Sequence, residues 1–251
     1  MTARCRPAAV LRPAAGNASA ASGVRLPRSK VYCRPAMRID LHTHTYPASS
    51  CSQISLDQYA TFCRDHDVPA IALTNHGDVR DNRALEERLA EVGTLLLHGV
   101  EISTMLGDFI VFSPDLEYLA TLRDVRPPLR PQEVPDHAAV VWVHPYAGGG
   151  RSGSVYFPGA EDQVATALSA VELYNGNWLE KRYVDGAHTI AASLCLPCTG
   201  GSDAHRVDRL MACCTEFTQP IAGTADLVSA LHAGSVSPWR PPQPRRFSRK
   251  G

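Results

Sequence analysis

Two histidines one residue apart, His42-Thr-His44, follow the short apolar run Met37–Leu41. Side chains alternate along a strand, so residues two apart share a face. Two imidazoles placed this way converge on one point, as ligands of a metal ion must. The device recurs near the other end of the chain, where Asp203-Ala-His205 follows the apolar stretch Leu194–Thr199. A chain whose first and last core strands both end in metal ligands has to bring those ends together. That favours a sheet curled around one centre.

The pattern between these motifs fits such a sheet. Strands are expected at Arg38–Leu41, Ala70–Thr74, Thr94–Val100, Asp108–Phe112, Ala139–Val143, Ala170–Leu173, Leu196–Thr199 and Met211–Glu216. Helices are expected at Ser55–His66, Asp81–Val92, Pro114–Leu122, Ala160–Leu168, Trp178–Ser193 and Thr224–Ala233, with Ser55 or Asp57 capping the first and Thr224 the last. Short apolar runs alternating with amphipathic helices indicate βα units and a parallel sheet, and about seven units suit a barrel.

Five expected strands end in metal-ligand residue types. Besides His42, His44, Asp203 and His205, they offer His76 after the second strand, Glu101 after the third and His144 after the fifth. A barrel carries its active site on that rim. Five imidazoles and two carboxylates exceed the needs of one tetrahedral zinc. They suit two or three divalent ions, with Glu101 as the bridge, and mixed N/O donors fit Zn, Mn or Fe better than Mg or Ca. Such a centre makes hydroxide from water at neutral pH and neutralises charge on a phosphoryl oxygen, which slow phosphate-ester hydrolysis requires.

Composition narrows the class. The 251 residues carry 25 basic and 25 acidic side chains, and this neutral balance argues against general nucleic-acid affinity. No apolar run is long enough to span a membrane. Eight cysteines in a chain of this length are read as mostly free thiols of a reducing compartment, and a cytoplasmic location is expected. Cys195-Leu-Pro-Cys198 has no second pair at zinc-finger spacing and reads as two strand residues. Residues 1–36 contain arginines and no acid. They read as a disordered extension in preference to a targeting leader, followed by a folded domain over 37–237 and a disordered basic tail over 238–251.

The strings Asp40-Leu-His42-Thr-His44, Ala72-Leu-Thr-Asn-His76, Gly99-Val-Glu101-Ile-Ser, Val143-His144-Pro and Gly201-Ser-Asp203-Ala-His205 resemble the polymerase and histidinol phosphatase (PHP) domain family. The resemblance runs from about Met37 to Ala233. It implies a single-domain, distorted (β/α)7 barrel and metal-dependent phosphoesterase activity on a small phosphorylated substrate. It also implies that His42, His44, Glu101 and Asp203 hold one ion, Glu101 and His144 help hold a second, and His76 and His205 serve a third. Glu101, Asp203 and His205 are the expected catalytic residues.

Three positions depart from that family's pattern. Asn75 stands where an aspartate is usual, which threatens the orientation of the neighbouring histidine. Cys51 lies where an Asp or His is common; it is either a thiolate ligand or a mere neighbour. Asp108 lies where a histidine is common; it is either an oxygen ligand or a turn residue.

Arg151, in a Gly-rich loop, and Arg206 are candidate phosphate contacts, and Asn175 and Asn177 candidate substrate contacts; each could equally be a loop or turn residue. No Ser or Cys with a paired base is evident, so direct attack by metal-bound hydroxide is the expected mechanism. The competing readings are an amidohydrolase-like C–N hydrolase and a non-catalytic metal-binding module.

Overall fold

The computed structural model describes residues 37–104, 106–122, 133–146 and 166–242. Six strands form the main sheet in chain order: β2 (Ala70–Leu73), β3 (Leu95–Thr104), β4 (Gly107–Phe112), β5 (Ala139–Trp142), β6 (Ala170–Asn175) and β7 (Cys198–Gly201). Every residue of β2, β4 and β5 is buried. Strands covered on both faces read as continuous apolar runs, which is why they were legible.

The sheet is mixed, not wholly parallel as expected. β2–β3, β5–β6 and β6–β7 are parallel, but β4 runs antiparallel to both β3 and β5. Thr104 pairs with Gly107, so β3 and β4 form a hairpin with no room for a crossover helix. β3 is therefore longer than expected. Its first half pairs with β2, and Gly99–Thr104 pairs with β4. Glu101 consequently lies inside a strand, opposite Ile110, and not beyond its end.

A second, antiparallel sheet holds β1 (Met37–Ile39), β8 (Cys214–Phe217) and β9 (Val236–Trp239) in the order β1-β8-β9. β9 overlaps the stretch expected to be a disordered tail. Its proline misled the reading, but Pro238 sits on an edge strand, where a missing N–H is tolerated. Arg38 stacks over Trp239 from the far side of this sheet, 4.0 Å from the ring centre. Just past β1, Asp40 bridges to Ile71 of β2 and Thr43 to Ala204 after β7. The segment 40–43 thus joins both edges of the six-stranded sheet and curls it into an α/β barrel-like wall.

The helices are α1 (Leu56–Asp65), α2 (Asn82–Glu91), α3 (Leu116–Thr121), α4 (Lys181–Leu194) and α5 (Thr224–His232). Ser55 caps α1 in a reciprocal box with Gln58. Thr224 does not cap α5; its hydroxyl accepts the His98 N–H of β3 instead, at 3.0 Å. Cys195 and Cys198 are not two strand residues. Cys195 ends α4 in a left-handed conformation, and Cys198, a free thiol, opens β7. The helix expected at 160–168 lies largely outside the described residues. No helix among the described residues is long and apolar enough to cross a membrane.

Candidate metal centre

Strand ends from around the sheet deliver the histidines and acids to one buried point. Glu101 is at its middle, with 1% exposure. Its Oε2 lies 3.4 Å from His42 Nε2, 3.3 Å from His44 Nε2 and 3.1 Å from His76 Nδ1. Its Oε1 lies 3.3 Å from His144 Nε2. Asp203 Oδ1 lies 3.5 Å from His42 Nε2 and 3.3 Å from His44 Nε2. Four sets bring their ligand atoms within 4.8 Å of one another: His42–His44–Glu101, His42–His144–Asp203, Glu101–Asp108–His144 and His44–His76–His205.

His144 Nε2 and Glu101 Oε1 are hydrogen-bonded to each other at 3.3 Å, but three other atoms facing this point are not so used. His42 Nε2, His44 Nε2 and Glu101 Oε2 are buried without a hydrogen-bond partner. Buried polar atoms left so are costly, on the order of 1–3 kcal/mol each. A divalent cation would use all three, so the residues present fit such an ion.

Groups behind the ligands fix which nitrogen carries a lone pair. His42 Nδ1 donates to Glu172 Oε1 at 3.0 Å. Ser49 gives its only proton to Asn75 Oδ1, so His44 Nδ1 donates to Ser49 Oγ at 3.3 Å. His205 Nδ1 donates to the Asp203 carbonyl at 2.9 Å. When neutral, the His42 and His44 rings therefore present Nε2 as the acceptor, the form that binds metal, whereas His205 Nε2 is engaged with Cys51 Sγ.

The electrostatics of His44 point the same way, whereas nearby acids outweigh burial and raise His42, His76 and His144. Burial works to raise Glu101, but His42, His76 and His144 outweigh it and hold the carboxyl well below its ordinary range. Burial likewise opposes ionisation of Asp203, yet His42, His44 and His144 keep it low. Burial brings His44 down to about 3, leaving it neutral and able to ligate. Burial also raises Asp108, with Glu101 adding to the effect.

The backbone is bent to make the centre. His144 has φ 30° and Asp203 φ 52°, in the left-handed region that costs a non-glycine residue about 1–3 kcal/mol. Gly201 leaves the room that the first ligand needs, since a Cβ there would lie 2.4 Å from His42 Cβ and 2.8 Å from Glu172 Oε1. Asp40, fully buried, accepts backbone N–H groups from His42, Ser202 and Met211, which ties the first and last motifs together.

The structure thus gathers His42, His44, His76, Glu101, His144, Asp203 and His205, with Asp108 beside Glu101 and His144. Cys51 joins the edge, where its Sγ lies 3.1 Å from His205 Nε2. The expectation that no cysteine is paired with a base therefore does not hold.

The other candidates sort differently. Asn175 is buried and donates to Glu172 Oε2 and Asp203 Oδ2, so it orients acids and does not face the cavity. Asn177 lines the cavity, but its amide donates to the Asp203 carbonyl. Arg206 is paired with Asp208 and lines a separate surface cleft with Phe62 and His66. Arg151 lies outside the described residues.

Glu172 escaped the sequence reading. It sits within β6, not after it, and no local spacing marks it. Asn75 is bonded to the loop after the first motif. Its Oδ1 accepts from Thr45 N and Ser49 Oγ, and its Nδ2 donates to Thr45 Oγ1, so it shapes the loop after the first motif.

A family model described as PHP-associated matches residues 184–236, a stretch that holds Asp203 and His205. The fold is similar to that of PsfC from Pseudomonas syringae PB-5123, with TM-score 0.62 and 19% identity over 82% of this chain and 92% of that one. It is also similar to a two-domain protein from Bacteroides vulgatus that contains a predicted PHP-like metal-dependent phosphoesterase. There the TM-score is 0.59 and the identity 17%, over 82% of this chain and 65% of that one. An amidohydrolase from Chromobacterium violaceum with bound sulfate gives TM-score 0.52 and 14% identity over 66% of this chain and 87% of that one. No curated protein sequence matches the chain significantly.

Proposed function

We propose that this PHP-domain chain is a metal-dependent phosphoesterase acting on a small phosphorylated molecule. The observation that carries the reading is the position of Glu101: one oxygen faces His42, His44 and His76, the other faces His144, and the whole carboxylate is buried. A carboxylate reached from both sides by imidazoles is what a bridge between two cations needs.

In this reading His42, His44, Glu101 and Asp203 hold one Zn, Mn or Fe ion, and Glu101, His144 and Asp108 hold a second. His76 and His205, with Cys51 beside them, serve a third. Bound ions bring water toward a pKa of about 7 and offset charge on a phosphoryl oxygen. The chain's own groups do the rest. Glu101 and Asp203 keep fixed negative charge at the centre. His205, partly exposed on the cavity wall, would exchange a proton with the departing oxygen when no third ion takes its Nε2.

A second reading, hydrolysis of a C–N bond, draws on the similarity to the amidohydrolase from Chromobacterium violaceum. Parallel assays of the metal-supplemented protein on phosphoester and amide panels separate the two. Turnover confined to phosphoesters supports the proposal; turnover confined to amides overturns it.

A further inference from the structure

The tight turn between β6 and α4 does more than connect them. Trp178 and Asn177, in this turn, line the metal cavity of about 360 Å³ together with Glu101, Asp108, His144 and Asp203. A helix was expected to begin at Trp178, but α4 starts only at Lys181. Residues 176–178 are instead fixed against the ends of β6 and β7. Gly176 N–H donates to the Gly201 carbonyl, Asn177 N–H to Asn175 Oδ1, and Trp178 N–H to the Asn175 carbonyl. The Asn177 amide reaches the Asp203 carbonyl at 2.8 Å, and Arg209 holds the Gly176 carbonyl at 2.6 Å. Only glycine fits at 176, since a Cβ would lie 2.3 Å from the Ser202 carbonyl oxygen.

The indole has an aromatic neighbour on α4. Tyr183 meets it edge to face at 5.1 Å between ring centres. Arg182 in turn sits over the Tyr183 ring and donates to its hydroxyl at 2.7 Å. A large ring held this way is pre-organised, so a ligand group packed on it loses little to ordering. Almost everything else lining the cavity is a candidate ligand or sits beside one. Trp178 is the large apolar surface among the described lining residues, and no described lysine or arginine lines the cavity. The space holds a phosphoryl group and roughly one ring beside the ions.

We infer that Trp178 forms a specificity subsite that selects phosphoesters whose organic part is flat and aromatic. The inference rests on the phosphoesterase reading of the same cavity. Aromatic rings gain from offset or edge-on packing beyond the area they bury, and an alkyl chain does not. A substrate with a second anionic group in this place would find no cation among the described residues to receive it.

The test compares phenyl and propyl probes on the metal-supplemented full chain, in wild type, Trp178→Ala and Trp178→Phe. Phenylphosphonate and propylphosphonate report binding by calorimetry and tryptophan quenching, and phenyl phosphate and propyl phosphate report turnover. Wild type is expected to bind phenylphosphonate at least 10-fold more tightly than propylphosphonate. Trp178→Ala should erase that preference, and Trp178→Phe should restore most of it. In turnover, Trp178→Ala should raise KM for phenyl phosphate about 10-fold, with kcat and the propyl KM within 2-fold. Equal binding of both phosphonates to wild type, or equal loss of both in Trp178→Ala, overturns the subsite. Selective phosphonate binding without hydrolysis of either ester leaves the subsite standing and removes the phosphoesterase reading. Hydrolysis without any phenyl preference does the reverse.

Discussion

Glu172 Oε1 accepts the Nδ1 proton of His42 at 3.0 Å, while its Oε2 accepts the His144 backbone N–H at 3.1 Å and the Asn175 amide at 2.9 Å. One carboxylate thus orients two metal-facing histidines from behind. An amide cannot do the same. In Glu172→Gln, an oxygen kept on His42 turns the NH2 group toward two other donors. Groups in this position usually tune metal affinity about 10–100-fold. We expect Glu172→Gln to weaken binding of the first ion by that factor while the helix content stays unchanged. A competition titration with a chromogenic chelator reads it; unchanged affinity would remove Glu172 from the centre.

Glu101→Gln tests the bridge itself. The substitution keeps the shape but removes the charge that faces His42 with one oxygen and His144 with the other. Hydrolysis is expected to fall to background, and bound metal to drop by at least one equivalent by elemental analysis, with circular dichroism preserved. Full activity in this variant would refute the bridging role.

Cys51 and His205 form a pair that permits a different chemistry. If Cys51 attacked substrate and expelled the alcohol, Cys51→Ala would abolish turnover and wild type would accumulate an S-phosphocysteine adduct. Direct attack by water predicts the opposite: Cys51→Ala keeps activity within about 10-fold, and mass spectrometry of the protein with substrate shows no adduct. Burial works to raise the Cys51 thiol, but hydrogen bonds to His205 and His76 bring it down to about 6, so a thiolate is available to either role.

The metal-facing residues were legible because the signal is local. Each sits within an apolar run or shortly after it, and the run fixes where its strand goes. Asp108, at the start of β4, is flagged by the family resemblance and not by its spacing. What stayed hidden was non-local. Glu172 lies within a strand and meets His42 across 130 positions of chain, a distance no spacing rule spans. Trp178 was read as helical because the residues after it are amphipathic, whereas its N–H donates to the Asn175 carbonyl at the end of β6, which holds it in a turn. The β3–β4 hairpin was missed because a strand that changes partner halfway along has one uninterrupted apolar pattern. β9 was hidden by a proline that only an edge strand accepts.

Stability should depend on pH in opposite senses with and without metal. Burial works to lower His76, but Glu101 and Cys51 outweigh it and raise it to about 9; His42 and His144 are raised as well. A histidine raised in the fold stabilises it below the unfolded value of about 6.5, and that contribution is lost as pH climbs toward the folded value. The metal-free protein should therefore lose Tm between about pH 6.5 and 9. The loaded protein should gain Tm over the lower part of that range, because ligation requires neutral imidazoles. Thermal melts with chelator and with added Zn or Mn check the two slopes; parallel slopes would mean that these histidines do not share a cation.

Asn75 is matched to its surroundings as an amide. Thr45 Oγ1 donates to Asp81 Oδ2 at 2.9 Å and so needs a donor from its other side, which Asn75 Nδ2 supplies at 2.8 Å. Aspartate at this position would present an acceptor to an acceptor and place a second carboxylate near Asp81. Nor would it face a metal-binding ring directly, because Ser49 stands between it and His44. Asn75→Asp is therefore expected to destabilise the fold by about 1–3 kcal/mol, the usual cost of a buried polar group left unmatched, without tightening metal binding. Urea unfolding measures the first and chelator competition the second. Tighter metal binding at undiminished stability would show that the missing charge, and not the hydrogen-bond pattern of the loop, is what distinguishes this position.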